Sequence, residues 1–405
     1  MLVVHKIALD PNDKQSTYFA RASGVARFAY NWALAEWKRQ YEAGEKPSEA
    51  ALRRRLNEIK REQFPWMLEV TKVAPQKAIK YLGVAFKRFF SGQSRYPTFK
   101  KKGVHDSFRA DNGPPEKGAD AVKVVGRTIK LPVVGWVRMR EELRFIGQIK
   151  SAVVSKTADR WFVSIAVDIK NKEHGQQREN QVAVGVDLGI DALATLSSGI
   201  KVPGPKPRRA LLTRLRRLSR SMSRKKRGST NRMKARRRLA RMHARIRCIR
   251  QDALHKLTTS LTRQYSLIGI ETLNVRGMMS NHCLAGAISD MGFHEFKRQL
   301  DYKANWSGGT VVQAPQWFPS SKTCSTCDTL QGAMPLSVRS WTCSVCHTEH
   351  DRDINAAVNL LKFATASSAG CKACGEEGSG RQDALAVKPA SVKQELSVKH
   401  TYGYV

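Results

Sequence analysis

The chain has 405 residues, with 71 lysines and arginines against 34 aspartates and glutamates, and a formal net charge of +37 at pH 7. This excess predicts a polyanionic partner, and a hydrophobic content of 41% excludes a chain that is disordered throughout. Because there is no bilayer-spanning apolar run, no signal-peptide pattern and only eight cysteines, six of them in C-x-x-C pairs, we expect a soluble cytoplasmic protein of two to four domains.

The first quarter of the chain combines one strand with helical sequence. Residues 2–8 alternate as a β-strand does, and the apolar residues within 16–41 recur at helical spacing. A second stretch of helical spacing covers about residues 72–90. We therefore predict a small helical domain at residues 11–92, inserted after the first strand.

From Tyr96 onward, short β-like runs alternate with glycine and proline. Residues 150–157 and 161–168 predict a β-hairpin with a tight turn between them. We interpret residues 93–180, together with residues 1–10, as one β-rich domain.

Two short apolar runs each end in an acidic residue. The first, within residues 182–189, reaches Asp187 just before a glycine turn, and the second, within 265–271, ends at Glu271. Taken singly, each acid has an ordinary explanation, since Asp before Leu-Gly often only makes a turn and Glu271 could lie on the surface at a strand end.

The segment between these two runs is strongly basic. No acidic residue lies between Ala192 and Gln251, and residues 201–250 contain 21 lysines and arginines. Helical spacing on both sides of a turn signal at 228–231 predicts a helical hairpin over residues 206–262, with an apolar seam and arginine-rich outer faces. A solvated helix normally mixes both signs of charge, so we interpret this hairpin as facing nucleic acid. The predicted seam comprises Leu211, Leu215, Leu218, Met222, Leu239, Met242, Ile246, Ile249 and Ala253.

A third acidic residue lies near the end of the ordered sequence. Helical sequence covers about residues 288–306, and an alanine- and leucine-rich run after Asp353 predicts a last helix with acidic residues at its start. Asp351 is the alternative to Asp353 for the third position of an acidic cluster. Residues 366–405 are rich in glycine, serine and alanine and predict a flexible tail.

The three acids gain significance from their positions. A ribonuclease H-like sheet brings two strand-end carboxylates and one helix-start carboxylate to one edge, so Asp187, Glu271 and Asp353 predict a catalytic site. Clustered carboxylates repel one another unless divalent cations neutralise them. Two Mg²⁺ or Mn²⁺ ions roughly 4 Å apart would activate a water molecule and stabilise the leaving oxygen of a phosphodiester. No P-loop motif is present, which disfavours ATP-driven strand separation.

Two matched cysteine pairs predict a structural Zn²⁺ site. They are separated by fifteen residues, a span that allows one pair to fold opposite the other. Four thiolates would close the coordination sphere, so the zinc would stabilise rather than catalyse. A redox dithiol is the weaker interpretation, because two matched pairs are present. The predicted ligands are Cys324, Cys327, Cys343 and Cys346.

The details of this cysteine site depart from the usual pattern. Asp328 and His347 stand where zinc knuckles often carry glycine, and both residue types tolerate left-handed backbone better than most. We interpret His347 and His350 as structural or surface residues. Cys371 and Cys374 form a third pair in the predicted tail without a matching pair, and we interpret them as incidental.

Four motifs together resemble those of the TnpB family, transposon-encoded RNA-guided nucleases related to the compact type V CRISPR effectors. They are GVDLG at 185–189, IETLNV at 270–275, FPSSKTC at 318–324 and DRDINAA at 351–357. Further similarity at 24–32, 131–136 and 287–306 extends the resemblance over about residues 2–362. It implies that Asp187, Glu271 and Asp353 are the metal-binding acids of a RuvC domain, and that the four cysteines form a zinc module inserted before the last RuvC helix.

The resemblance also implies an α/β multidomain architecture. A β-rich wedge domain would carry a helical recognition insertion, and both would cradle RNA and read a short target-adjacent DNA motif. Candidate contact segments are residues 30–38 and 95–102, although an aromatic residue at helical spacing is more often part of a core. The implied divisions are 1–10 and 93–180 for the wedge, 11–92 for the helical domain, 181–320 and 347–365 for the RuvC domain, 321–346 for the zinc ribbon and 366–405 for the tail.

Three functions are consistent with these observations. The first is an RNA-guided, metal-dependent endonuclease that uses a transposon-derived guide RNA, cleaves double-stranded DNA with one RuvC site and acts as one monomer per RNA in a prokaryotic, nucleoid-associated setting. The second is a zinc-ribbon regulator that binds nucleic acid without cutting it. The third is a transposase or transposition accessory protein, although no tyrosine beside a histidine pair suggests a recombination nucleophile.

Overall fold

A computed structural model describes residues 1–112, 121–169, 182–335 and 337–373 of the chain. These residues form two large β-sheets, a small two-stranded sheet and the helices that pack on them. Within the described ranges, no helix is both long and apolar enough to cross a bilayer.

The first sheet has seven strands, and every neighbouring pair is antiparallel. In chain order the strands are β1 (Leu2–Asp10), β2 (Ser107–Asp111), β3 (Lys123–Val125), β4 (Thr128–Leu131), β5 (Gly135–Met139), β6 (Gln148–Thr157) and β7 (Arg160–Asp168). Their order across the sheet is β2-β6-β7-β1-β5-β4-β3, so the first strand joins this sheet as the sequence predicts. Strands β6 and β7 form the predicted hairpin, with Thr157 paired to Arg160.

Helical sequence fills the segment between β1 and β2. It folds as α1 (Asp13–Glu42), α2 (Glu49–Gln63), a short 3-10 helix (Pro65–Glu69) and α3 (Val73–Phe90). The sequence predicts α1 and α3 but not α2, because only Leu52 and Leu56 of α2 are buried and most of its other residues are charged. The helices share a core with the first sheet, where the ring of Phe19 lies 5.3 Å from that of Trp161.

The second sheet has five strands in the order β10-β9-β8-β11-β12. They are β8 (Ala183–Asp187), β9 (Ala192–Leu196), β10 (Lys201–Pro203), β11 (Leu267–Glu271) and β12 (Thr310–Ala314). Strands β8, β11 and β12 are parallel, and β9 and β10 are antiparallel to their neighbours. The sheet is therefore mixed, and β8, the first of its strands in the chain, lies in the middle beside β11.

The remaining helices connect and cover the second sheet. Between β10 and β11 lie α4 (Pro207–Ala210), α5 (Leu212–Ser223) and α6 (Thr230–Gln264), and between β11 and β12 lie α7 (Val275–Met278), α8 (His282–Met291) and α9 (Phe293–Ser307). The small sheet of β13 (Ser340–Thr342) and β14 (Glu349–Asp351) follows, and α10 (Arg352–Ala373) then packs across β8 and β11.

The predicted helical hairpin is formed by α5 and α6, but its apolar seam is only partly correct. Met242 and Ile246 are buried, whereas Ile249 is 37% exposed, and none of the side chains of the fully described helix α5 is buried. The buried stripe of α6 continues through Leu254 and Thr258 toward the second sheet, so Ile249 falls on the neighbouring face.

Two boundaries also differ from the sequence prediction. The helix predicted at 288–306 is divided at Gly292, whose φ of +70° ends α8 before α9 begins. Helix α10 continues to Ala373, so the predicted tail does not begin at residue 366, because alanine-rich sequence continues a helix at little cost. The rest of that prediction, residues 374–405, lies outside the described residues.

Candidate active site and cysteine cluster

Asp187 and Glu271 end two adjacent parallel strands. Val186 pairs with Ile270 in the sheet, and Asp187 and Glu271 are the next residues of the two strands, so the two acids lie side by side. Neighbouring strands lie about 4.8 Å apart, which brings the carboxylates together at the carboxyl edge of the sheet. The backbone N–H of Leu188 lies close enough to both carboxyl groups to lower their pKa, against the larger opposing effect of burial.

The environment of these two acids opposes their ionisation. Burial, followed by the negative charges of Glu271 and Asp353, raises the pKa of Asp187 well above its ordinary value. Burial raises the pKa of Glu271 to about 7. Two buried carboxylates that repel each other are stabilised by a divalent cation, and their oxygens are the ligands that Mg²⁺ and Mn²⁺ prefer. The donor set therefore fits the predicted metal site.

The geometry distinguishes Asp353 from Asp351. Oδ1 of Asp351 accepts the backbone N–H groups of Asp353 and Ile354, both at 3.1 Å, so Asp351 caps the first turn of α10. Its other oxygen accepts a hydrogen bond from Nζ of Lys201 at 2.7 Å. Asp353, in contrast, interacts electrostatically with Asp187. This arrangement favours Asp353 as the third acid of the cluster.

Two cationic side chains flank Asp353. Nζ of Lys201 lies 3.8 Å from Oδ2 of Asp353, and a guanidinium nitrogen of Arg339 lies 3.8 Å from Oδ1. Arg339 also pairs with Asp191, and these four residues line a cavity of about 550 Å³. Sequence reasoning missed both cations, because one lysine or arginine among 71 carries no distinguishing signal.

Two glycines let α10 approach the sheet closely. A β-carbon at Gly185 would lie 1.8 Å from the carbonyl oxygen of Ala357, and one at Gly269 would lie 2.4 Å from that of Leu360. Each glycine precedes its acid by two residues, in the motifs GVD and GIE. This shared spacing was the available sequence signal for the close packing that brings α10 and Asp353 to the strand ends.

The four cysteines predicted as zinc ligands come together. All four Sγ atoms lie within 4.8 Å of one another. Among the described residues, no other set of three or more His, Cys, Asp or Glu ligand atoms is gathered as closely. Two Sγ–Sγ distances, Cys324 to Cys346 and Cys327 to Cys343, are 3.6 Å. A disulfide would require about 2.05 Å, whereas four thiolates at about 2.3 Å from a tetrahedral Zn²⁺ lie about 3.8 Å apart. The cluster therefore fits a metal and not a disulfide.

Both knuckles have the backbone conformation expected of the predicted site. Asp328 has a φ of +57° and His347 a φ of +54°, which confirms that these residues occupy left-handed positions. The N–H of Asp328 donates a hydrogen bond to the carbonyl oxygen of Cys324 at 2.9 Å, and the N–H of His347 donates one to the carbonyl oxygen of Cys343 at 3.1 Å.

Polar neighbours of the cluster prepare it for a cation. Hydrogen bonding with Thr348 lowers the pKa of Cys346 to about 6, which favours the thiolate that binds metal. Nε2 of the buried His350 lies 3.1 Å from Sγ of Cys324, so His350 has a structural place beside the cluster. The side chain of Cys371 and all of Cys374 lie outside the described residues.

Helix α10 is tied to the cysteine module by two asparagines. The amide nitrogens of Asn355 and Asn359 donate to the carbonyl oxygen of Thr323 at 2.8 and 2.7 Å, and Oδ1 of Asn355 accepts the N–H of Ser325 at 2.8 Å. The helix that carries Asp353 and the loop that carries Cys324 therefore form one hydrogen-bonded unit.

Comparison with known proteins identifies the family. The chain is 37% identical to a Streptomyces pristinaespiralis protein named "Putative RNA-guided DNA endonuclease". The alignment covers 95% of this chain and 94% of the relative. The chain belongs to the TnpB family. A second relative, "Putative RNA-guided DNA endonuclease InsQ" of Escherichia coli K12, is 31% identical over 93% of this chain and 94% of its own length.

Models of TnpB-related domains match three segments. They are described as a helix-turn-helix domain at residues 1–46, "Probable transposase" at 164–282 and the TNB domain of Cas12f1-like proteins at 293–360. The last of these covers the four cysteines and Asp353. In the structure, residues 1–46 contain strand β1 and the single helix α1.

A solved structure shares the fold. The protein in a Cas12f1–sgRNA–target DNA complex superimposes with a TM-score of 0.54 at 14% identity, covering 86% of this chain and 83% of that chain. The predicted α/β fold class is confirmed, and the cysteine module precedes the last helix as predicted.

Proposed function

We propose that this TnpB-family chain is an RNA-guided, divalent-metal-dependent endonuclease that cuts both strands of DNA with a single RuvC site. The observation that carries the proposal is that Asp187 and Glu271 end adjacent strands at one edge of the second sheet, where the charge of Asp353 also acts on Asp187. Relatives that align over nearly the whole chain bear the name RNA-guided DNA endonuclease. In a regulator that only binds nucleic acid, three mutually repelling carboxylates in a partly buried site would serve no function.

The three carboxylates would hold Mg²⁺ or Mn²⁺. Bound metal lowers the pKa of a coordinated water and stabilises the charge on the transferred phosphate. The chain's own contribution is to hold the acids in place through Gly185, Gly269 and the cap made by Asp351. Lys201 and Arg339 add positive charge at the edge of the site, where they would neutralise the phosphates on either side of the scissile bond.

A second cavity supports binding of a nucleic-acid backbone. It measures about 670 Å³ and lies between the β6–β7 hairpin and α6. Burial lowers the pKa of Lys6 at its wall, and Nε of Arg241 donates to Asp159 across it at 2.7 Å. Phosphates would relieve the repulsion among these cations and release counterions. We infer that the guide RNA follows this wall, whose cationic residues are Lys6, Arg160, Arg241, Arg245 and Arg247.

The finer organisation of the chain is part of the proposal. The first sheet would be the wedge and residues 11–92 the helical recognition part, which together hold the RNA and read a short target-adjacent motif. Residues 321–346 would bind one structural Zn²⁺. We infer a guide RNA derived from a transposon end, one protein monomer per RNA and a site of action at the prokaryotic nucleoid.

The proposal is tested by expressing the chain with its flanking genomic DNA and sequencing the RNA that co-purifies in high salt. We expect one scaffold RNA with a variable end of roughly 20 nucleotides. The complex should then cut a matched plasmid in Mg²⁺, and Asp187→Ala should abolish cutting while RNA binding is kept. Asp301→Ala, at an exposed aspartate of α9, is the matched control and should cut normally. A heterogeneous RNA population and no cutting would instead support the nucleic-acid-binding regulator.

A further inference from the structure

Trp317 is the most exposed phenylalanine, tyrosine or tryptophan side chain in the described part of the chain. It is 87% exposed, and Tyr41 follows at 67%. Trp317 makes no ring–ring or cation–π contact with any described residue. An indole exposed to this extent leaves a large aromatic surface accessible to a ligand.

The loop that carries Trp317 is held rigidly. The ring of the next residue, Phe318, packs on Phe363 of α10 at 5.1 Å, and the N–H of Phe318 donates to the carbonyl of Pro315 at 3.0 Å. Nδ2 of Asn359 donates to the carbonyl of Ser320 at 2.8 Å. The loop is anchored on both sides of Trp317 while the indole is left free, which keeps the entropic cost of binding a flat partner low.

Trp317 lies at the same sheet edge as the acids. Ala314, the last residue of β12, pairs with Glu271, and Oγ1 of Thr272 donates to the carbonyl of Ala314 at 2.7 Å. Trp317 follows Ala314 by three residues, so their Cα atoms are at most about 11 Å apart. Its indole is thus within a few nucleotide lengths of the acids.

Lysines lie near the end of β12 and in the loop that carries Trp317. Nζ of Lys297 donates to Oε1 of Gln313 at 3.0 Å, one residue before Ala314, and Lys322 follows Trp317 in the same loop. Proteins that bind single-stranded nucleic acid combine exposed aromatic rings, on which bases stack, with cationic side chains that contact the phosphates.

We propose that Trp317 stacks on an unpaired base of the DNA strand that enters the nuclease site, and so fixes which phosphodiester bond reaches Asp187, Glu271 and Asp353. The inference rests on the proposed nuclease function and adds a substrate-binding residue to it. Stacking on an aromatic side chain is sequence-tolerant, because every base has a flat face. This suits an enzyme whose target changes with its guide.

The test combines protein variants with DNA that lacks single bases. Wild type, Trp317→Ala and Trp317→Phe, each bound to guide RNA, are given matched targets with one abasic nucleotide placed in turn at each position around the cut. Trp317→Ala should slow single-turnover cleavage of intact DNA by about 5- to 150-fold, the range for one base–aromatic stack, and Trp317→Phe should recover part of the rate. Val345→Ala, which removes another exposed apolar side chain of the cysteine module, should cut normally.

One abasic position should reproduce the defect in wild type and add nothing to Trp317→Ala. That non-additivity reports stacking and not a structural role, since a merely destabilised protein would respond equally at every position. The inference would be overturned if Trp317→Ala cleaved intact DNA at the wild-type rate, or if its defect added to that of the abasic site at every position. The nuclease function would stand in either case. If Trp317→Ala does not fold, abasic scanning of wild type and Trp317→Phe decides alone. No cutting by wild type would overturn the proposed function instead.

Discussion

Gly185 and Ala357 pack backbone against backbone. A β-carbon on Gly185 would lie 1.8 Å from the carbonyl oxygen of Ala357, far inside van der Waals contact. Gly185 lies two residues before Asp187 on β8, and Ala357 lies four residues after Asp353 on α10. This contact therefore sets the distance between the strand and the helix that carry two of the three acids.

Gly185→Ala should push α10 away from β8 and misplace Asp353. We expect cleavage to fall by at least about 100-fold, because small displacements of catalytic groups are costly, and the free energy of unfolding to fall by about 1–3 kcal/mol from overpacking. Single-turnover cleavage and urea unfolding measure the two effects. The matched control is Gly332→Ala, where no described atom lies within 4 Å of the added β-carbon. Equal behaviour of the two variants would refute the role assigned to this contact.

Substitution of Asp353 should impair mainly cleavage, whereas substitution of Asp351 should impair mainly stability. Asp353→Ala removes a proposed metal ligand and should reduce cleavage to background with little change in stability. Asp351→Ala removes the cap of α10, so we expect a loss of about 1 kcal/mol in stability and residual cleavage within roughly tenfold of wild type. Cleavage rates and thermal melting of both variants decide the assignment. Background cleavage by Asp351→Ala together with near-normal cutting by Asp353→Ala would reverse it.

Metal removal should weaken the folded state through the buried acids. In buffer without added Mg²⁺ or Mn²⁺, Glu271→Gln should melt higher than wild type, because it removes one charge from a buried cluster of like charges. Added Mg²⁺ should raise the melting temperature of wild type more than that of the variant, since ligand binding to the folded state stabilises it by mass action. Differential scanning fluorimetry with and without Mg²⁺ measures both shifts. If Mg²⁺ leaves wild type unchanged, these acids do not form the metal site.

The cysteine module should depend on zinc. Cys324→Ser should lose the bound zinc, unfold the module and lower cleavage, because α10 is hydrogen-bonded to the loop that carries Cys324. Cys283→Ser, at an exposed cysteine outside the cluster, should keep one zinc per chain and normal activity. Elemental analysis and thermal melting make the comparison. Full zinc content in Cys324→Ser would contradict the ligand assignment.

Local patterns determined what could be predicted from the sequence. Asp187 and Glu271 end apolar runs, and the cysteine spacing together with Asp328 and His347 specifies two knuckles, so these features were visible without a fold. Helix α2 was missed because its buried face consists of two leucines, and Ile249 was misplaced because the stripe of α6 follows the sheet below it.

The contacts that complete the site were beyond such reasoning. Arg339 and Lys201, which both lie close to Asp353 in the fold, are separated from it in sequence by 14 and 152 residues. Their positions at the site therefore depend on tertiary packing and not on any motif. The exposure of Trp317 likewise follows from the way Phe318, and not Trp317, packs on α10. The glycines at 185 and 269 were an available signal, since each stands two residues before an acid.

We expect base pairing with a bound RNA to direct a cut made by Asp187, Glu271 and Asp353. The most direct measurement reprograms the complex with two unrelated guides of about 20 nucleotides and challenges each with both matching plasmids in Mg²⁺. Each complex should cut only its own plasmid, and the Asp187→Ala complex should cut neither while still binding its own. Cutting that ignores the guide, or that survives Asp187→Ala, would contradict this expectation.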